Sequence, residues 1–480
     1  MIEYTSKDEL DLIINKSASA FKIYKNFSLE IRRNLMFKIA EELDKNRDEL
    51  IDSANLETNL SKERLSSEFD RTIFQLRSYA DACKKGDWLD IRMSKSNGKD
   101  IRKMLVPLGP VVVFGSSNFP FAYSTPGGDT ACALAAGCTV IIKGHPAHIK
   151  TSSRTSEIIN KALSSLSLPE GIFQHLHIDN KSTEYLIKHE EIKAVGFTGS
   201  LSGGRQLFDW GNERKNPIPV FAEMGSVNPV FILPEKLKNE PAWLVKKLAA
   251  SITTSVGQFC TNPGLIISIE SEELVMFTSL LSSELNLIEP ELMLHEGIFK
   301  NYNNNRSGAL NQNEVQLLTS EKKVEGIRAI PTLVKVNAAE FINNPQLHKE
   351  VFGPYSVIIA CKNEDEMRQV AESMEGQLTT TLMATEDDLK NNIQLLNILK
   401  NICGRFVLND VPTGVEVCIA MQHGGPYPAT TDSRFTAVGS DGIKRFARPL
   451  AWQNWPDNFL PEELKEENSL GLNRLRIDND

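Results

Sequence analysis

Cys260 stands in the tract Val256-Gly-Gln-Phe-Cys-Thr-Asn-Pro-Gly264, a polar, glycine-flanked loop just after a helix expected over 243–256. A nucleophilic thiol needs access, and a turn provides it. A carboxylate, Glu223 in Ala222-Glu-Met-Gly225, and an amide, Asn118 in Gly115-Ser-Ser-Asn-Phe-Pro120, occupy similarly punctuated turns. Brought together, the three would suit acyl chemistry. The sulfur attacks a carbonyl carbon, the amide donates to the developing oxyanion, and the carboxylate activates water to hydrolyse a thioester. Taken singly each has a plainer reading: a lone cysteine is usually a small packing residue, Asn118 a turn former and Glu223 a solvated surface carboxylate.

A second set of residues suits a dinucleotide. Phe197-Thr198-Gly199-Ser200-Leu-Ser-Gly203-Gly204 follows an apolar run, and glycines at such a place let backbone N–H groups approach a pyrophosphate at a helix N-terminus. The tract is not G-x-G-x-x-G, so the ordinary dinucleotide fingerprint is absent. Lys143, ending another apolar run, could reach a ribose or a phosphate, or simply lie along the surface with its amine in water.

The elements that must position these residues read as α/β. Runs at 110–114, 139–143 and 192–197 are short, β-branched and apolar, as buried strands are. Helix-compatible stretches at 129–136 and 151–163 lie among them, which gives the alternation of a parallel doubly wound sheet. Ahead of them, Ser28 is a plausible N-cap for a helix with Ile31, Leu35, Ile39 and Leu43 at helical spacing. The polar tract 93–100 and the run 101–106 suggest an extended arm broken by Pro107. After Pro234 a second α/β series begins, with strands expected at 264–269 and 355–360. Beyond Trp452 the chain turns polar and acidic, with Leu470, Leu472 and Leu475 left for docking on a neighbouring subunit.

Composition narrows the function further. At 480 residues, with 41% hydrophobic and 24% charged residues, the chain can bury a large core in two or three lobes. A net charge of −9 provides no basic footprint for nucleic acid or an anionic membrane, which favours a small-molecule substrate. The acidic start does not read as a secretory signal, and the uncharged runs at 104–128 and 248–269 are interrupted by Gly, Pro and polar residues. Seven scattered cysteines without a C-x-x-C pair fit a reducing, cytoplasmic compartment, and no metal site is expected.

In chain order, Asn118-Phe-Pro120, Lys143, Phe197-Thr-Gly-Ser200, Glu223-Met-Gly225, Gly257-Gln-Phe-Cys260 and Glu350-Val-Phe-Gly-Pro354 resemble the landmarks of the aldehyde dehydrogenase superfamily. The resemblance spans nearly the whole chain. Gly144-His-Pro-Ala-His148, Pro412-Thr-Gly-Val-Glu-Val417, Gln422-His-Gly-Gly-Pro-Tyr-Pro428 and Glu467-Asn-Ser-Leu-Gly471 are similar to its α-ketoglutarate semialdehyde (2,5-dioxovalerate) dehydrogenase branch, with medium- and long-chain aldehyde enzymes as the alternative.

The resemblance implies a Rossmann-type cofactor domain, an α/β catalytic domain and a small oligomerisation arm. It places the cofactor domain at 1–225 with 88–106 in the arm, the catalytic domain at 226–432, a return to the cofactor domain at 433–450 and an oligomerisation tail at 451–480. It implies Cys260 as nucleophile, Asn118 and the Cys260 N–H as oxyanion donors, and Glu223 as base. Lys143 and Glu350 would hold the riboses, Gly199 and Ser200 the pyrophosphate, and Phe352 would pack near the nicotinamide. NAD-preferring members often carry a glutamate where this chain has Pro146, so NADP as well as NAD is expected to be accepted, with NADP slightly favoured. Gly225-Ser-Val-Asn-Pro229 departs from the common Gly-Gly-Lys-Ser-Pro without touching Glu223. A distal substrate carboxylate would need a cation, for which Arg434 is the candidate. A homodimer or homotetramer is expected by analogy. Two rival readings remain, a CoA-acylating enzyme, which Glu223 disfavours, and a non-catalytic relative, which would be free to lose any of Cys260, Asn118 and Glu223.

Overall fold

The computed structural model describes residues 4–478. Strands Val111–Phe114, Val140–Lys143, Phe173–Leu176, Ala194–Thr198 and Val220–Glu223 form a five-stranded sheet. Every pairing is parallel, and Val111–Phe114 lies at the centre with Val140–Lys143 on one side and Ala194–Thr198 on the other. The chain therefore winds outward in both directions from the central strand. In such sheets ligands bind beyond the carboxyl ends of the strands at that switch point. Register aligns Phe114 with Lys143 and Phe197, and Thr198 with Glu223, so the chemistry-bearing residues leave the sheet along one edge.

One face is covered by amphipathic helices. Leu29–Lys45 starts where the Ser28 side chain accepts from the Ile31 N–H, and Leu35, Ile39 and Leu43 are buried while Ile31 is exposed. Leu35, Ile39 and Leu43 join Leu76, Tyr79 and Ala80 of helix Lys62–Lys85 and residues of the sheet in one core. Burying side chains of this size contributes about 1.5–3 kcal/mol each relative to exposure, which is what pins the helices to the sheet.

A second sheet of seven strands runs in the order Gln316–Leu317, Thr332–Asn337, Tyr355–Cys361, Leu265–Ile269, Val230–Ile232, Gln377–Met383 and Cys403–Leu408. It is parallel except for the short first strand. Its two faces bury separate apolar clusters, so it carries a core of its own.

The third unit is a four-stranded sheet, Ala447–Gln453, Lys99–Pro107, Arg92–Ser96 and Leu475–Arg476. The stretch expected as a polar tract and one arm is a hairpin. Asn97 and Gly98 both take positive φ (50° and 72°), the conformation that Asn-Gly supplies cheaply in a two-residue turn. Two expected boundaries shift. The segment around 429–431 already lies against the first sheet, through Met224 N–H to Ala429 O and the Glu223–Thr430 bridge, and residues 447–453 already belong to the arm. In the tail Leu472 is buried within its own chain, whereas Leu470 and Leu475 are exposed. Among the described residues no helix is long and apolar enough to cross a membrane.

Candidate active site

A cavity of about 670 Å³ opens along the carboxyl ends of the five-stranded sheet. Asn118, Glu223 and Cys260 line it, and so do Lys143, Pro146, Gly199, Ser200, Glu350 and Phe352. Residues separated by more than two hundred positions meet because strand ends of one sheet face the nucleophile loop of the other.

That loop is built under backbone strain. Helix Pro241–Thr253 gives way to a single turn in which Ser255, Val256 and Gly257 all have positive φ (49°, 59° and 63°). For β-branched Val256 this conformation costs on the order of 1–2 kcal/mol, so the surroundings must impose it. Gly257 is obligatory: a Cβ there would lie 2.4 Å from the Gly353 backbone. Beyond the turn, the buried Asn228 amide donates to the carbonyls of Cys260 (2.8 Å) and Asn262 (2.9 Å). Asn228 belongs to the tract that departs from the common family pattern, and here it clamps the nucleophile loop. Gln377 holds the clamp, accepting from the Val227 N–H at 2.9 Å and the Ser226 hydroxyl at 2.9 Å.

Cys260 is half-buried, and burial followed by the charge of Glu223 pushes its thiol well above the ordinary range. An unassisted thiolate is therefore scarce at neutral pH. The sulfur lies 3.7 Å from Nε2 of His423, a residue with no exposed surface. The same Nε2 is 3.0 Å from Oε1 of Glu223, but off the angle a hydrogen bond needs, so neither carboxylate oxygen receives one. Thiol, imidazole and carboxylate atoms all fall within 4.8 Å of one another. Asn118 points its amide to the same region and donates to the Gln258 carbonyl at 3.1 Å, which leaves its second N–H for a ligand.

Glu223 is neither in a turn nor solvated. It is the last residue of strand Val220–Glu223 and only 3% exposed, because the strand end is covered by the segment around Thr430. His423 has no role in the sequence-based reading: 163 residues separate it from Cys260, and no local spacing marks it. Its backbone is fixed by His423 N–H to Thr436 Oγ1 (2.9 Å) and Ala437 N–H to His423 O (2.8 Å). The Arg434 expectation is corrected. Its side chain is 80% exposed and ion-paired with Asp432 at 2.6 Å, away from the cavity lining, because the chain turns outward between the buried Thr430 and Thr436.

Two doubly wound sheets, a strained cysteine loop at their junction and an arm of strands define an α/β protein with a thiol site beside a dinucleotide-sized cavity. The model of the aldehyde dehydrogenase family matches residues 1–288, and the chain belongs to that family. It is 39% identical over 477 residues to an alpha-ketoglutaric semialdehyde dehydrogenase of Acinetobacter baylyi, covering 98% of this chain and 90% of the relative. It is 41% identical over 466 residues to alpha-ketoglutaric semialdehyde dehydrogenase 2 of Azospirillum brasilense, covering 95% and 89%. Among solved structures, a 1-pyrroline-5-carboxylate dehydrogenase from Thermus with bound NAD superposes with a TM-score of 0.81 at 21% identity, covering 94% of this chain and 86% of that one. A succinic semialdehyde dehydrogenase of Streptococcus pyogenes in complex with NADP+ gives 0.81 at 17%, covering 96% and 97%. These two show the fold. The protein is an aldehyde dehydrogenase, an oxidoreductase that uses NAD or NADP.

The cavity fits a dinucleotide on its own geometry. Helix Leu201–Asn212 starts at Ser200, whose side chain accepts from the Gly203 N–H, and its open N-terminus faces the cavity between Gly199 and Gly203. A Cβ on Gly199 would strike the Phe197 ring at 2.6 Å, and one on Gly225 would meet Glu350 Oε2 at 2.6 Å. Both glycines thus keep the wall low. Burial draws Lys143 below its ordinary pKa and pushes Glu350 up to about 7.

Proposed function

We propose that the protein oxidises α-ketoglutarate semialdehyde (2,5-dioxopentanoate) to the corresponding dicarboxylate, with NADP accepted and slightly favoured over NAD. The observation that carries this reading is the meeting of Cys260, Glu223 and Asn118 in one cavity, with buried His423 behind them 3.7 Å from the sulfur. The names of the two relatives near 40% identity support the choice of substrate.

In this reading Cys260 gives its proton to the His423–Glu223 pair and its sulfur adds to the aldehyde carbon. The oxygen that becomes negative is met by the free N–H of Asn118 and the Cys260 N–H. The nicotinamide dinucleotide, when bound, supplies the hydride acceptor. Lys143 and Glu350 would hold its riboses, Gly199 and Ser200 its pyrophosphate, and Phe352 would pack near the nicotinamide. The thioester left on Cys260 is hydrolysed by water from which Glu223 takes the proton. Pro146 opens the short helix Pro146–His148 on the cavity wall and brings no negative charge against a 2′-phosphate.

The first two sheets act as cofactor and catalytic domains, and the third assembles a homodimer or homotetramer. Exposed Leu470, Leu475 and Ile477 on and beside its edge support that role. The free cysteines support a reducing, cytoplasmic setting.

The test is Glu223→Gln. With substrate and NADP it should give one equivalent of reduced cofactor per active site and then stop, because hydride leaves before water attacks. Sustained turnover near the wild-type rate would remove Glu223 from the base role.

A further inference from the structure

Resting on the reading that the substrate carries a carboxylate at the end remote from its aldehyde, we propose that Arg71 and Arg405 form the site that receives that carboxylate. Arg71 belongs to helix Lys62–Lys85 and Arg405 to strand Cys403–Leu408, and both are half-buried. They converge on one irregular segment. Arg71 Nη1 donates to the Val415 carbonyl, while Arg405 donates to Gly414 O at 2.7 Å and to Pro412 O.

What is missing around them is an anion. Among the described residues neither guanidinium has a carboxylate within 4.0 Å, and the Nε atom of each is buried without a partner. The buried arginines Arg445 and Arg102 are neutralised, the first by Asp129 at 2.6 Å and the second by Asp100 at 2.9 Å and Asp457 at 2.7 Å. Half-buried Arg214 and Arg474 also donate only to carbonyls, but neither shares its segment with a second arginine that lacks a carboxylate. Arg32 also meets only carbonyls, but it closes the carbonyl end of helix Gly128–Ala136 through Ala136 O. Segment 412–415 has no helix end to close. Two half-buried cations held side by side against neutral carbonyls favour an anion that joins them, and a carboxylate is the anion that a guanidinium fork pairs with best.

Their position relative to the sulfur suits a short substrate. Arg71 Nη2 lies 3.3 Å from the Tyr123 hydroxyl, and Tyr123 lines the same cavity as Cys260. The Tyr123 ring is 6.3 Å from the His423 imidazole, so one aromatic side chain separates Arg71 from the reacting groups. Arg405 is near enough for its charge to favour the Cys260 thiolate against burial. Tyr123 thus joins Arg71 to the wall of that cavity, and in this proposal the carboxylate of an aldehyde held at Cys260 extends past that side chain. An uncharged alkanal gains nothing from this arrangement.

The experiment compares α-ketoglutarate semialdehyde with pentanal at saturating NADP, in the full-length wild type and in Arg71→Met and Arg405→Met. Loss of a charge-assisted hydrogen bond predicts a KM for the semialdehyde raised about 10- to 100-fold, with the pentanal KM moving far less. Equal increases for both aldehydes, or none for either, would overturn the proposal. Should either variant misfold, the wild type alone decides. Glutarate should inhibit pentanal oxidation competitively while the uncharged glutaramide does not, and equal inhibition by both rejects the site. If the wild type fails to oxidise the semialdehyde at all, the substrate reading falls. Glutarate competition against pentanal then judges the arginine pair by itself.

Discussion

His423 places one imidazole nitrogen 3.7 Å from the sulfur of Cys260, in a chain where the thiol is pushed strongly towards its protonated form. The same nitrogen is the nearest basic atom to Glu223. The imidazole is therefore placed to take the proton that leaves the thiol, with a buried carboxylate beside it. His423→Ala should lower kcat by on the order of 100-fold, the usual scale for losing a positioned base. It should also slow alkylation of Cys260 by iodoacetamide at pH 7, in the absence of substrate, by a comparable factor. The alkylation rate separates the proton path from substrate binding. An unchanged rate in a correctly folded variant would reduce His423 to a packing residue.

The parts of this arrangement that sequence reveals are the local ones. Helix Leu29–Lys45 is legible because its cap and its apolar spacing both lie within one segment, and the strands at 111–114 and 140–143 because they are buried on both faces and read as unbroken apolar runs. Glu223 is harder. Its Gly225 neighbour looks like a turn, and only the long-range cover by Thr430 makes it a buried strand end. His423, Asn228 and the pairing of Arg71 with Arg405 on segment 412–415 depend wholly on tertiary contacts, to which no periodicity points. Asn97-Gly98, by contrast, carries a strong hairpin signal within two residues, yet the expectation was a single arm. Arg434 shows the reverse error: a cation chosen by its nearness in sequence to a motif proves to be a solvent-facing partner of Asp432.

Glu350 makes a prediction about stability. Burial raises its carboxyl to about 7, so the folded protein holds this proton more tightly than the unfolded chain, where the group titrates near 4.5. For an acid with a raised pKa, the native state is favoured by the neutral form. That contribution is complete below about pH 4.5 and disappears as pH rises through about 7. Because the side chain is partly reached by solvent, the loss is about 1–2 kcal/mol rather than the full value of the shift. Glu350→Gln without cofactor should therefore melt a few degrees above wild type at pH 8 and converge with it near pH 5. The same variant should bind NADP more weakly at pH 8, since the ionised carboxylate is the better acceptor for ribose hydroxyls. Melting curves that stay parallel from pH 5 to 8 would show that Glu350 is not held against its charge.

Pro146 tests the cofactor assignment through charge alone. It begins the short helix Pro146–His148 on the cavity wall, three residues beyond Lys143, and the His145 ring caps that helix by accepting from the Ala147 N–H at 3.1 Å. The backbone there is set by the cap and by tolerance of proline at a first helical position, and glutamate is compatible with both. Pro146→Glu should consequently leave the fold intact while placing a carboxylate where a 2′-phosphate would approach. Like charges at such range oppose each other by one to a few kcal/mol, so Kd for NADP, read by nucleotide fluorescence, should rise at least tenfold. Kd for NAD should stay level or fall, because its ribose hydroxyls can donate to the new carboxylate. The ratio of the two constants is the informative quantity, since a general disturbance of the loop would weaken both. An unchanged ratio would mean that the adenosine ribose does not lie beside Pro146, and the placement of Lys143 on that ribose would fall with it.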